Sequence, residues 1–155
     1  MASVSIVPLG LEEARRVLAQ TPLPSDNWAP GYPFADELDV LPLFIDAFER
    51  NGNPAPFGLY AVVRSDDGAY IGGIGFFGPP EDGVAELGFG LIEGARGHGF
   101  AAEALASAIR IALDNGATSV VADALVDNPA SHRTMLTAGM VETRRDDRLV
   151  YFATR

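Results

Sequence analysis

The chain reads as a single α/β (α+β) domain over residues 1–155, a mixed and mostly antiparallel sheet flanked by helices. Three observations carry this expectation. An apolar segment of strand length, Val84-Ala-Glu-Leu-Gly-Phe-Gly-Leu-Ile92, passes through a glycine-rich turn to Ala101, Ala102, Leu105, Ala108, Ile109 and Ala112, which recur at helical spacing. Phe57 to Arg64 and Tyr70 to Phe77 flank Ser65-Asp-Asp-Gly68, whose Asp-Gly pair favours a tight hairpin turn. Met140 to Arg145 and Arg148 to Thr154 flank Asp146-Asp147 as a final hairpin.

The remaining elements follow in order. Ser3 to Pro8 predicts a first strand, and Leu11 to Gln20 a short helix with Leu11, Ala14, Val17 and Leu18 on one face. Thr21 to Pro33 holds four prolines and the only tryptophan, Trp28; long loops of this kind often shape binding sites. Trp28 either plugs the edge of the core or meets a substrate. Leu38 to Arg50 carries Leu41, Phe44, Ile45 and Phe48 at helical spacing, and Pro42 places the start of the regular helix near itself. Gly78-Pro-Pro-Glu-Asp-Gly83 turns the chain into the Val84 strand. The helix after the glycine-rich turn ends near Asn115-Gly116, Ser119 to Val126 supplies another strand, and Asn128-Pro129 opens another helix.

Composition bounds the function. The chain has 155 residues, 48% of them hydrophobic and 21% charged, which suits one soluble globule with a core of its own. No run reaches the ~18 apolar residues of a membrane span, and the N-terminal residues lack a secretory profile, so no membrane partner and a cytoplasmic location are expected. With no cysteine, disulfides, thiolate nucleophiles and Cys-zinc sites are excluded; with two histidines, a His-rich metal site is not expected. The absence of lysine excludes a Schiff base. A net charge of −10 argues against a nucleic-acid partner and favours encounter with amines or basic peptides, although the same charge also serves solubility.

The glycine-rich turn is the most informative segment. At a helix N-terminus the first backbone N–H groups lack intrahelical partners and the dipole is positive, so Gly97 and Gly99 let the backbone approach an anion such as phosphate. A phosphate-binding Walker loop requires a lysine that the chain does not have. A dinucleotide fingerprint fits weakly, with Ala102 in the third position. Its context is wrong, because such turns normally open a β-α-β domain and here about ninety residues come first.

The turn matches Arg-x-x-Gly-x-Ala as Arg96-Gly-His-Gly99-Phe-Ala101, which resembles the acyl-CoA pyrophosphate loop of the GNAT family of N-acetyltransferases. Asn128-Pro-Ala-Ser131, on a helix closed by Gly139-Met140, resembles the Asn-x-x-Ser helix of that family, and the Glu-Leu-Gly-Phe strand core is similar to the RimJ/RimL-like ribosomal-protein N-terminal acetyltransferase branch. Together these motifs cover residues 57 to 152, and the first 56 match loosely.

The resemblance implies a GNAT fold and acetyl-CoA as cosubstrate without a metal. It also implies direct acetyl transfer in a ternary complex to a primary amine, either a protein N-terminal α-amine or a small amine. It places the cofactor on Arg96, Gly97, His98, Gly99, Phe100, Ala101 and Ala102, with the His98 side chain toward solvent. Backbone groups of Phe89 and Leu91 pair with pantetheine, and Asn128 lies beside the cofactor arm. Asn128-Pro129 is also a good N-cap in its own right, and Arg133 reads as a solvated helix charge in preference to a contact with the cofactor's 3′-phosphate. Glu86 is the expected base, acting directly or through water, on the strand face opposite Leu87, Phe89 and Leu91, so that its own face forms a polar cleft. The family often places a tyrosine acid where this chain has Met135; Ser131 is the substitute. A homodimer is left open. The alternatives are a non-catalytic acyl-CoA-binding module and a nicotinamide-dinucleotide-binding domain.

Overall fold

The computed structural model describes residues 2–155. Seven strands and four α-helices alternate along the chain: β1 (Val4–Pro8), α1 (Leu11–Ala19), α2 (Ala35–Asn51), β2 (Leu59–Arg64), β3 (Tyr70–Phe76), β4 (Val84–Leu91), α3 (Phe100–Asp114), β5 (Ser119–Leu125), α4 (Pro129–Thr137), β6 (Met140–Arg145) and β7 (Leu149–Thr154). A single 3-10 turn, Glu93–Ala95, separates β4 from the loop that leads into α3. The strands lie in the order β1-β2-β3-β4-β5-β7-β6. Every neighbouring pair is antiparallel except β4 and β5. This is the mixed, mostly antiparallel sheet that the sequence predicts, with each expected element present and its ends shifted by one or two residues.

The exception is α2. It begins at Ala35, not near Pro42, which lies inside the helix. Asp36 and Glu37 occupy its first turn, where negative charge complements the helix dipole. Leu41 is fully buried while Pro42 itself is exposed. Packing of that face outweighs the local cost of a proline that has no N–H to offer the carbonyl of Leu38. The proline signal was real, but it marks a missing bond and not a boundary.

Trp28 belongs to the core edge. It forms a bridge to Tyr70 and stands edge-on to Tyr32 at 5.4 Å, and Tyr32 in turn stands edge-on to Tyr70 at 5.7 Å. The core itself gathers fully buried side chains from every layer, including Val17 of α1, Ile71 and Ile74 of β3, Leu87 of β4, Leu105 of α3, Met135 of α4 and Val150 of β7. Near the groove described below, the Glu103 carboxylate in the first turn of α3 accepts the backbone N–H groups of Ser3 and Val4, at 2.6 and 3.2 Å.

Because Pro42 interrupts the hydrogen bonding of α2 from an exposed position, Pro42→Ala should stabilise the fold by about 1–2 kcal/mol in urea denaturation. A loss of stability would mean that the helix is not continuous through this residue.

Candidate active site

β4 builds the centre of the site by leaving its neighbour. It pairs with β3 from Leu87 to Leu91, but with β5 only at Val84, Ala85 and Glu86. Glu86 O accepts the Phe77 N–H, and Ile92 N–H donates to Ile71 O, so the even-numbered residues of β4 turn their backbone groups toward β3. By alternation, Phe89 and Leu91 turn theirs toward β5, into a gap where β5 no longer answers. The Leu91 carbonyl is taken by Arg96, whose Nε and Nη2 donate to it at 3.3 and 3.2 Å. Arg96 therefore holds the loop that follows to the end of the strand.

That loop ends in left-handed glycines, Gly97 at φ +85° and Gly99 at +79°; Gly99 is the N-cap of α3. No neighbouring atom comes within 4 Å of where a Cβ would stand at either glycine. The backbone thus lies open to a ligand at the positive end of α3. The groove in front of it, about 480 Å³, is walled by Phe89, Gly90, Leu91, Arg96, Gly97, Gly99, Phe100, Ala101 and Ala102 on one side. Asn128, Ser131, Arg133 and Thr134 of α4 stand on the other. Ten of the expected site residues therefore meet along one groove. His98 does not join the wall; its ring is exposed and stacks on Phe100 at 5.3 Å.

Asn128 is an N-cap here, its Oδ1 accepting the Ser131 N–H at 3.3 Å. The Ser131 hydroxyl has no hydrogen-bond partner among the described residues and stands on the groove wall. Arg133, read from sequence as a solvated charge, is on that wall as well, without an ion pair among the described residues. Met135, where the family often has tyrosine, is fully buried in the core.

A second cleft of about 200 Å³ joins the groove at Phe34, Asp36 and Phe89. Its floor is Gly73, Gly75 and Gly88, which with Gly90 of the adjoining groove form a patch of four glycines on one face of the sheet, paired as Gly73 with Gly90 and Gly75 with Gly88. Side chains occupy the space these residues leave. A Cβ at Gly73 would stand 2.8 Å from Glu37 Oε1, one at Gly90 2.5 Å from the Phe34 ring, one at Gly75 2.8 Å from Leu59 Cδ1, and one at Gly88 3.2 Å from the Phe77 ring. Val40 and Phe44 of α2 complete the apolar wall.

One expectation about β4 needs correction, and one residue stands apart from the clefts. The face that Glu86 shares with Gly88 and Gly90 is an apolar cleft, not a polar one, because glycines there admit aromatic rings. Glu86 itself lines neither cleft: its side chain is exposed, and it sits at the last step where β4 and β5 are still paired. Its cross-strand neighbour Phe77 closes that end of the cleft instead.

The buried carboxylate of the site is Glu37, which carries no role in the sequence reading. It is 2% exposed. The Tyr32 hydroxyl donates to its Oε1 at 3.3 Å, while its Oε2 has no partner. Burial pushes its pKa up to about 7, an effect the Tyr32 hydrogen bond only partly opposes; the Tyr32 hydroxyl is likewise pushed well above its ordinary value by burial and by the Glu37 charge. Only a first-turn acidic residue is visible in the sequence at position 37. Its burial depends on a glycine from a strand more than thirty residues away.

Comparison with known proteins identifies the family. The family profile described as Acetyltransferase (GNAT) domain matches residues 6–141, reaching well upstream of the motifs. The chain belongs to this family and is an N-acetyltransferase. It is 30% identical over 112 residues to the uncharacterized N-acetyltransferase YjdG of Bacillus subtilis (strain 168), covering 71% of this chain and 67% of that protein. The fold is shared with a spermidine N-acetyltransferase SpeG chimera from Vibrio cholerae and hSSAT (TM-score 0.67, 14% identity, 99% and 95% of the two chains covered). It is also shared with a ribosomal-protein-S5-alanine acetyltransferase from Vibrio fischeri (TM-score 0.65, 12% identity, 99% and 93% covered). No helix among the described residues is long and apolar enough to cross a membrane.

Glu37 also sets a pH dependence of stability. Its folded-state pKa lies above its ordinary value near 4.5, so the fold prefers the neutral acid. The stability this contributes is fully present below that ordinary value and is lost as pH rises through about 7, a difference of about 3 kcal/mol. Glu37→Gln removes the titration. In urea denaturation the variant should gain on the native protein between pH 5 and pH 8.5, and a gap that does not change with pH would contradict the burial of the charge.

Proposed function

We propose that the chain transfers the acetyl group of acetyl-CoA to a primary amine in a ternary complex. The observation that carries this is the meeting of the two clefts at Phe89, one with an anion-binding helix end and the other apolar and closed by a carboxylate. The diphosphate of the cosubstrate is assigned to the open amides from Gly97 to Ala102, with the positive charges of Arg96 and Arg133 nearby. The open glycine positions and the positive helix end suit that group. The pantetheine arm is assigned to the gap beyond Glu86, where it takes the place of β5 against the free backbone groups of Phe89.

In this reading the chain has three tasks. The Phe89 N–H, aimed into the gap, stabilises the oxyanion that forms when the amine nitrogen attacks the thioester carbonyl. The second cleft holds the amine on the sheet side of that carbonyl. Ser131 offers a hydroxyl near the departing sulfur. Since a free thiol has a pKa of ~8.5, the thiolate leaves readily with only a hydrogen bond or water to assist, which fits a chain whose tyrosine position is a core methionine. Both a RimJ/RimL-like protein N-terminus and a small amine satisfy this chemistry. The motifs favour the former, and the shape of the acceptor cleft bears on the choice below.

The test is thermal stabilisation by acetyl-CoA, CoA and NADPH in parallel, followed by acetyl transfer to an amine panel. Acetyl-CoA at 100 times its Kd should stabilise the fold by about 2.7 kcal/mol, and NADPH should not. A shift with NADPH alone would overturn the reading, and tight acetyl-CoA binding without turnover would support a binding module instead. Gly99→Asp, which adds bulk and negative charge at the helix end, should abolish the acetyl-CoA shift while the variant stays folded. Ser131→Ala should lower kcat no more than about tenfold; a larger loss would make its hydroxyl a dedicated acid.

A further inference from the structure

We propose that the second cleft selects a compact hydrophobic primary amine, and that Glu37, through its free Oε2, receives the ammonium group of that amine and then takes its proton. This rests on the acetyltransferase reading above and names the acceptor class for the same site. The volume comes first. About 200 Å³ is below the ~300–1,000 Å³ of drug-sized ligand sites, room for about one ring or a short alkyl chain.

The lining comes second. Phe34, Val40, Phe44, Leu59 and Phe77 offer no hydrogen bonds from their side chains, and the floor glycines use their backbone in the β3–β4 ladder. A polyamine would press a further charge against these apolar walls, since the other lining carboxylate, Asp36, is exposed at the junction with the groove, and a peptide would leave its backbone groups unpaired there; each burial is costly. A hydrophobic amine has one polar group to satisfy, and the buried part of the cleft has one carboxylate oxygen without a partner.

The surroundings of Glu37 suit a proton acceptor. On its own side of the cleft it meets Tyr32, behind which Tyr70 donates to Glu13 at 2.7 Å, and Asp36 lies one residue before it at the junction with the groove. From the sheet it meets Gly73, which carries nothing titratable. Neither arginine nor histidine lines this cleft. The apolar walls penalise the ammonium–carboxylate pair relative to the neutral amine and carboxylic acid, which draws the proton from nitrogen to Glu37. The neutral amine then forms the N–C bond as the C–S bond breaks. The second nitrogen proton balances the departing thiolate, and Glu37 returns its own to solvent. The sum is ammonium plus acetyl thioester giving amide, thiol and one proton.

The experiment measures kcat/KM for 2-phenylethylamine, hexylamine, spermidine and an alanyl peptide, with the native protein, Glu37→Gln and Gly73→Ala. The first two amines should exceed the others by at least about tenfold in the native protein. For 2-phenylethylamine, Glu37→Gln should lose about 100-fold at pH 7 and lose the rise in rate that the native protein shows through pH ~7, with acetyl-CoA affinity unchanged. Gly73→Ala, whose Cβ crowds Glu37 Oε1, should lose activity in the same direction and serves if the glutamine variant fails to fold. Preference for spermidine or the peptide, or an unchanged rate and pH profile in folded Glu37→Gln, would overturn the proposal. Should no amine be acetylated while acetyl-CoA binds, the catalytic reading fails by itself. The cleft is then judged by whether 2-phenylethylamine raises Tm in the native protein and not in Glu37→Gln; equal shifts would overturn it.

Discussion

The separation of β4 from β5 after Glu86 is the constraint on which the rest of the site depends. A strand that remained paired on both sides would spend all its backbone groups on its neighbours. Here β4 is fixed along β3 and left open along β5, so rigidity and free hydrogen-bonding capacity occur on the same residues. The Arg96 contacts to Leu91 O then set where the strand stops, and the glycines beyond it set where α3 starts. Strand, loop and helix end form one continuous concave surface because each element fixes the start of the next.

The opposite half of the site is made by subtraction. Four residues without side chains lie side by side on β3 and β4, and the space they leave receives Glu37 and aromatic rings from elsewhere in the chain. Glycine in a strand interior weakens it and often marks a close approach by another group. Here the approaching groups are a carboxylate held by Tyr32 and the ring of Phe34. The sheet gives up packing on this face so that the start of α2 can sit directly on its floor.

What could be read from sequence was local. The apolar run into Gly97 and Gly99, the Asp67-Gly68 turn and the Asn128-Pro129 cap each state their structure within a few residues, and all three stand where expected. The start of α2 could not be read this way, because Pro42 sends a start signal that burial of Leu41 overrules. Glu37 was invisible for a related reason: nothing near it in sequence says that Gly73 will leave room beneath it. Alternation gives the face of Glu86 but not where along the strand the gap opens. Periodicity reports faces and caps report ends, but the meeting of distant segments is reported by neither.

The carboxylate of Glu103 draws together two regions a hundred positions apart. A negative charge in the first turn of α3 would repel an anionic ligand at the same helix end. Its engagement by the amides of Ser3 and Val4 turns it toward the first strand and neutralises part of its field. Residues of the first strand thus help to shield a surface they do not line, and a change at the edge of the sheet would be felt as a change in the field over the groove.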